Sequence, residues 1–210
     1  EVLDGGTMTT VQDWPGRSGY WDVGVPPSGP CDELSLCLGN RLLGNDERAA
    51  GLEMTLTGGR FRFRSATRIV ITGADMQASC DGQPLENWRV HRIPAGGDLR
   101  FGAVRGAGSR SYLCIAGGID VPEYLGSRST FTLGRFGGHG GRALRGGDVL
   151  HPGHGATAAS GSVPPGLRPQ LTDHWAIRVI YGPHGAPDFF TQDDIDMFFQ
   201  TDWEVHYNSS

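Results

Sequence analysis

Hydrophobic positions along this chain change period twice. Between Glu33 and Leu43, Leu34, Leu38 and Leu42 recur four apart with Cys37 on the same side, which predicts an amphipathic helix over residues 33–43. Asp32 is a good N-cap, Glu33 suits the positive helix N-terminus, and Gly44-Asn45 stops the helix. Val2-Leu3 and Met8 to Val11 precede it as short strands, separated from it by loops rich in Pro-Gly and Ser-Gly pairs. After Gly51 the period is two. Leu52, Met54 and Leu56 alternate with Glu53, Thr55 and Thr57, and Arg60 to Arg64 alternates again. Arg68 to Thr72 is a continuous apolar run, Gly82 marks a turn, and Trp88–Ile93, Asp98–Val104 and Ser111–Ala116 follow as strands. Val149-Leu150 is expected as the last strand of this set. Many short strands, one helix and frequent turn signals predict a mainly β chain folded as an antiparallel barrel.

The pattern then weakens. Residues 153–173 are rich in Ala, Gly, Ser and Pro and read as a linker between a first domain, 1–152, and a second unit, 174–210. In that unit Trp175–Tyr181 is expected as a strand. Thr191 with Asp194 makes a capping-box start for a short helix, and Trp203 to Tyr207 alternates as a further strand. A strand, a helix and a strand cannot close a core, so the second unit is expected to be incomplete or to lean on the first.

Gly117 to Leu150 carries the densest chemistry. It combines glycines with the hydroxyls Ser127, Ser129 and Thr130, with His139, and with four arginines, Arg128, Arg135, Arg142 and Arg145. Glycine lets backbone amides approach a ligand, successive exposed amides bind anions, and arginine grips a carboxylate with two donors. The same glycines also suit a turn-rich β fold with no ligand, so residues alone leave both readings open.

Composition narrows the function classes. All 18 basic residues are arginine. Without lysine there is no Walker A lysine, no Schiff-base lysine and no covalently attached biotin or lipoyl group on these residues. The net charge of -5 offers no basic surface to nucleic acid. No apolar run reaches the ~20 residues that span a bilayer, and no signal peptide precedes the first strand. The chain begins at Glu1 rather than methionine and is expected to be part of something longer. Cys31, Cys37, Cys80 and Cys114 show no CxxC spacing and are read as reduced thiols of a cytoplasmic protein. His151 and His154 have no acidic or cysteine cluster beside them, so no metal site is assigned. Asp13 and Arg17 are read either as a salt bridge pinning their loop or as residues at a pocket edge. Asn40, late on the helix, is read as a capping contact or a site residue.

Several stretches, in order, resemble one family: Thr9-Thr-Val-Gln-Asp-Trp-Pro-Gly-Arg17, Ser28-Gly-Pro-Cys-Asp32, Gly39-Asn40, Leu52-Glu53, Gly108-Ser-Arg-Ser-Tyr-Leu113, Leu125-Gly-Ser-Arg-Ser-Thr130 and Gly137-Gly-His139. Together they are similar to the carboxyltransferase domain of biotin-dependent urea carboxylase and urea amidolyase. Its wider kin are the allophanate-hydrolase-type second subunit and one of the subunits of bacterial 5-oxoprolinase. Tyr181-Gly-Pro-His-Gly-Ala-Pro187 and Val205-His-Tyr-Asn-Ser209 look closer to the urea carboxylase branch. Cys31 stands where the family usually has methionine, and Gly140 where asparagine is common.

The resemblance implies a cyclophilin-like β-barrel followed by a second, here incomplete, barrel. It implies transfer of a carboxyl group from carboxybiotin to urea or a similar small amide, giving allophanate in the case of urea. The biotin would be supplied by a separate carrier domain and loaded by a biotin carboxylase. Arg128 and Arg142 are then the candidates for gripping carboxylate and oxyanion, Gly137 and Gly138 for lending amides, and Ser129 and Thr130 for donating hydroxyls. His139 is the candidate proton shuttle. Asp13, Asp32 and Glu53 would orient the arginines, and Arg17, Asn40 and Arg110 complete the substrate-binding set. A 5-oxoprolinase subunit and a non-catalytic regulatory binder of the same fold are the competing expectations.

Overall fold

A computed structural model of the chain describes residues 1–154 and 160–204. Two compact units divide it, Glu1–Asp173 and His174–Ser210. The first opens with β1 (Val2–Asp4) and β2 (Met8–Gln12), then the helix α1 (Glu33–Leu43). Six strands follow: β3 (Gly51–Thr55), β4 (Arg60–Arg62), β5 (Thr67–Gly73), β6 (Ser79–Cys80), β7 (Gln83–Pro84) and β8 (Val90–Ile93). Four more complete it, β9 (Asp98–Arg100), β10 (Arg110–Ile115), β11 (Ile119–Asp120) and β12 (His151–Pro152). The second unit holds α2 (Gln192–Gln200).

The fold is mainly β and its ladders are antiparallel. One five-stranded sheet runs β1-β4-β9-β6-β7, a second runs β2-β3-β10-β5-β8, and β11 pairs with β12. Strand alternation places Val11, Leu52, Leu113 and Ile71 in one row on the face of the second sheet that packs against Val2, Phe61 and Leu99 of the first. The other face carries Tyr112, Val70 and Cys114, which bury Leu36 and Leu43 of α1. Each such leucine contributes roughly 1.5–3 kcal/mol. The sheets meet at a bridge between Thr57 and Ala103. The glycine-rich loop reaches one edge strand of each sheet. Thr130 and Leu144 donate backbone N–H groups to Val11 and Thr9 of β2, and Val2 of β1 exchanges backbone bonds with Asp148 and Gly147.

Several sequence expectations need correction. The helix has the expected bounds but buries Leu36, Gly39, Asn40 and Leu43, while Leu34 is exposed. Leu56 leaves its strand in a left-handed conformation (φ 58°), so β3 ends at Thr55. Trp88 also has positive φ (66°), which delays β8 to Val90. The turn at Gly82 is a hairpin in which Asp81 and Gly82 both have positive φ, the twist that suits a two-residue connection. The final strand of the first unit is His151–Pro152 rather than Val149-Leu150. Trp175–Tyr181 forms no strand, because no described neighbour offers its N–H and C=O groups to it. The expected strand at Trp203–Tyr207 falls mostly outside the described residues. In the second unit α2 starts with the expected Thr191–Asp194 capping box.

Candidate functional site

Asp13 follows β2 and lies buried against the turn that runs from Ser127 to Thr130. Its Oδ1 accepts hydrogen bonds from Ser127 Oγ and Ser129 Oγ, both at 2.6 Å, and its Oδ2 accepts from the Arg128 N–H at 2.8 Å. The Asp13 N–H donates in return to Ser129 Oγ at 3.0 Å. Thr130 donates both its N–H and its hydroxyl to the Val11 carbonyl. A carboxylate with this many donors at short range holds two distant loops as one rigid body.

Arg17 belongs to the same cluster, and it does not pair with Asp13. It is completely buried. Its Nε donates to the Tyr124 carbonyl at 2.9 Å, its Nη2 donates to the Ser129 carbonyl at 2.8 Å, and its guanidinium lies 4.9 Å from the Phe136 ring centre. Burial pulls the Arg17 pKa down, and the nearby Asp13 charge opposes that shift. Gly137 sits over the guanidinium, and a Cβ there would overlap Ser129 O and crowd Arg17 Nη2.

Arg128 is at the rim, about one-third exposed, with Nη1 2.6 Å from Glu123 Oε1 and Nε donating to the Val121 carbonyl. His139 and Arg142 come together elsewhere on the loop, on Asp148. Arg142 grips that carboxylate with two donors at 2.7 and 2.8 Å, and His139 Nε2 lies 3.4 Å from Asp148 Oδ1. The Arg142 fork holds the Asp148 carboxyl well below the usual carboxylate range. Gly138 donates its N–H to the Arg128 carbonyl.

A second group of expected residues gathers at the N-terminus of α1. Asp32 caps the helix by accepting from Ser35 N. The Asp32 N–H donates to Tyr112 Oη at 2.7 Å, and Tyr112 donates to Glu53 Oε2 at 2.8 Å. Glu53 also accepts from the Cys31 N–H, and Arg110 Nε stands 3.7 Å from its other oxygen. Burial, reinforced by the Glu53 charge, pushes the Tyr112 phenol far above its usual range, so it stays a donor. Asn40 stands apart. It is fully buried, its amide donates to the Ala49 carbonyl, and it accepts from Asn45.

Among the described residues three buried side-chain polar atoms lack a hydrogen-bond partner: Arg17 Nη1, Ser28 Oγ and Arg110 Nε. Buried donors are almost always satisfied by protein or water, and of these three Arg110 Nε still has Glu53 Oε1 at 3.7 Å. All three fall on residues or motifs that the sequence singles out.

Tyr112, Asp148 and Ser28 carry no individual role in the sequence reading of the site. A tyrosine at an inward position of an apolar strand, directly opposite Glu53, is the available signal for the first. Cys37 and Cys114 offer no nucleophile: burial pushes the Cys37 thiol up to about 11 and the Cys114 thiol higher still. A cleft of about 800 Å3 is lined by Asp75, Gln77, Asn87, Trp88 and Arg105, and none of the candidate site residues is in its lining.

Comparison with known proteins adds to this geometry. A model of the family described as carboxyltransferase domain, subdomain A and B, matches residues 23–210. The chain is 46% identical over 217 residues to a urea amidolyase of Saccharomyces cerevisiae, matching the whole of this chain but 12% of that protein. It is 33% identical over 211 residues to a 5-oxoprolinase subunit of Escherichia coli, matching the whole chain and 66% of that protein. The crystal structure of the K. lactis urea amidolyase superposes with a TM-score of 0.91 at 42% identity, over all of this chain and 13% of that one. The chain thus spans about an eighth of the urea amidolyases it matches.

Proposed function

The chain belongs to the carboxyltransferase domain family, subdomain A and B, and from that membership we propose that it is the component that moves a carboxyl group from biotin to urea or a similar small amide. The observation that carries this reading is the buried Arg17 Nη1 beside the Asp13 network, which has no acceptor among the described residues. Guanidinium N–H groups left without an acceptor of their own suit an incoming carboxylate. The 5-oxoprolinase relative is more distant in sequence and is the weaker guide.

The residues fit the carboxylate end of a biotin group delivered by a separate carrier and loaded by a biotin carboxylase. When bound, that group supplies the carboxyl to be transferred. Arg128, at the rim, and Arg17, behind it, would hold the carboxylate. Asp13 fixes both by binding the Ser127–Ser129 turn. Ser129 and Thr130 act through the same turn. Asp148 holds Arg142 and His139 together, so His139 can take up the proton that the amide loses. Asp32, Glu53, Arg110 and Tyr112 would orient the neutral amide, and the burial of Glu53 and Tyr112 would keep water from that side of it. Gly137 and Gly138 keep the loop close enough for these contacts. We further read the two sheets, joined at Thr57–Ala103 and bridged by the loop, as a cyclophilin-like barrel, residues 153–173 as linker, and residues from 174 as the start of a second barrel. We assign the protein to the cytoplasm, consistent with four free cysteines and no helix among the described residues long and apolar enough to cross a membrane.

A transfer assay on the full-length protein, with carboxylated biotin carrier and urea, tests the reading. Arg128→Ala is expected to lower turnover by about a hundredfold, the usual cost of one preorganised donor to a reacting anion. Its thermal stability should fall only modestly, because the Arg128 charge faces an exposed glutamate and its Nε gives up one hydrogen bond, to the Val121 carbonyl. Unchanged turnover would remove Arg128 from the site.

A further inference from the structure

On the far edge of the second sheet, Arg68 of β5 and Arg92 of β8 stand directly opposite each other in the antiparallel register. Like charges so placed repel across a strand pair. The Arg92 guanidinium forms no hydrogen bond or ion pair with another described residue. Arg68, Arg89 and Arg92 line one groove of about 440 Å3 together with Ser160 and Ser162, and no acidic residue is among its described lining. Glu86 stands 3.3 Å from Arg89, and both side chains are well exposed, so their pairing is weak.

Charged residues on an edge strand often serve only to block edge-to-edge pairing. That task is already done here. The Val90 N–H donates to the Gly161 carbonyl, the Val163 N–H donates to the Trp88 carbonyl, and Arg89 bridges to Ser162. The edge is covered, and the same backbone bonds fix the far wall of the groove. Three arginines therefore stand around a hollow whose described lining brings no carboxylate of its own. None of them belongs to the Asp13 or Glu53 networks.

We propose that this groove binds a small oxyanion carrying two or more negative charges, of the phosphate or phosphate-ester class. Planar arginine forks match phosphate oxygens in pairs, and the Ser160 and Ser162 hydroxyls can add neutral donors. An anion seated there converts the Arg68–Arg92 repulsion into attraction. The hollow is the size of a small molecule or a headgroup, and the net charge of -5 gives no support for a nucleic-acid polymer.

The test is a melting and titration experiment on the full chain with inorganic phosphate, against chloride at equal ionic strength. Phosphate is expected to raise the wild-type Tm. Arg92→Gln should raise the Tm in phosphate-free buffer by relieving the repulsion, should remove the phosphate-dependent rise, and should weaken phosphate binding about tenfold through loss of a charge-assisted contact. Arg89→Gln, with no arginine in direct register, should weaken binding without the phosphate-free gain. An equal phosphate effect on wild type and both variants would indicate only the general salting effect on burial and would overturn the proposal. So would a lower Tm for Arg92→Gln without phosphate, or no phosphate response in the wild type.

Discussion

Asp13 accepts three hydrogen bonds with one carboxylate, from Ser127 Oγ, Ser129 Oγ and the Arg128 N–H. Asparagine keeps the size but loses the charge and one acceptor oxygen. Asp13→Asn is therefore expected to lower the free energy of unfolding by about 2–4 kcal/mol, since hydrogen bonds to a charged group contribute roughly 1.5–3 kcal/mol each and partly re-form. Urea unfolding measures it, and a loss within about 0.5 kcal/mol, as for an ordinary surface change, would refute the role. Asp13, Arg17, Ser129 and Thr130 are each legible as chemistry-bearing residues. Their pairing is not. Reading locally joins Asp13 to Arg17, four positions away, whereas its partners lie 114 to 116 residues further on. No local period carries that information, because the contact exists only once β2 has placed the loop beside the turn.

At the scale of elements, α1 shows both the reach and the limit of pattern reading. Its ends are legible because capping is local: Asp32 accepts from Ser35 N, and Gly44 takes the left-handed conformation (φ 73°). Asp32→Ala should cost about 1 kcal/mol, seen as a lower urea midpoint at unchanged slope. A change of slope would mean instead that the Tyr112–Glu53 network had come apart with the cap. The buried face differs from the leucine pattern because leucine count is a poor guide where small residues make the contact. A Cβ on Gly39 would come within 2.7 Å of Cys114 Sγ, so glycine is what lets the helix lie on β5 and β10. Ser35 and Asn40 are buried beside it. The short strands β6, β7 and β11 leave no trace in the pattern because two residues cannot display an alternation.

At the scale of the whole molecule, two carboxylates are held in the charged form by arginine forks. The Arg60 fork, with Arg100 beside it, holds Asp98 far below the usual carboxylate range, and Arg142 does the same for Asp148. A depressed folded pKa gives stability that is complete above the unfolded value, about 3.9 for aspartate, and is lost as pH falls through the folded pKa. The share due to these pairs is expected to persist from neutral pH down to about pH 4 and to fall below it. Asp148→Asn should flatten that acid slope as followed by thermal melting. A slope unchanged by the substitution would show that the Arg142 pairing adds nothing to folding. Asp98 ties β4 to β9, and Asp148 ties the glycine-rich loop to itself beside β1, so acid should loosen a sheet and the site loop together.

The sequence by itself determined the local alphabet of this protein: most strand positions, both helices with their caps, the absence of lysine, and the residues in which the chemistry is concentrated. These follow from periodicity, capping and side-chain type, which act over a few residues. Only the tertiary structure decided which face of α1 is buried, that Arg142 is held by Asp148 while Arg17 keeps a buried donor unpartnered, and that Tyr112 joins Asp32 to Glu53. Those outcomes depend on the order in which distant strands pair, and hydrogen-bond partners are chosen by proximity after pairing rather than by separation along the chain.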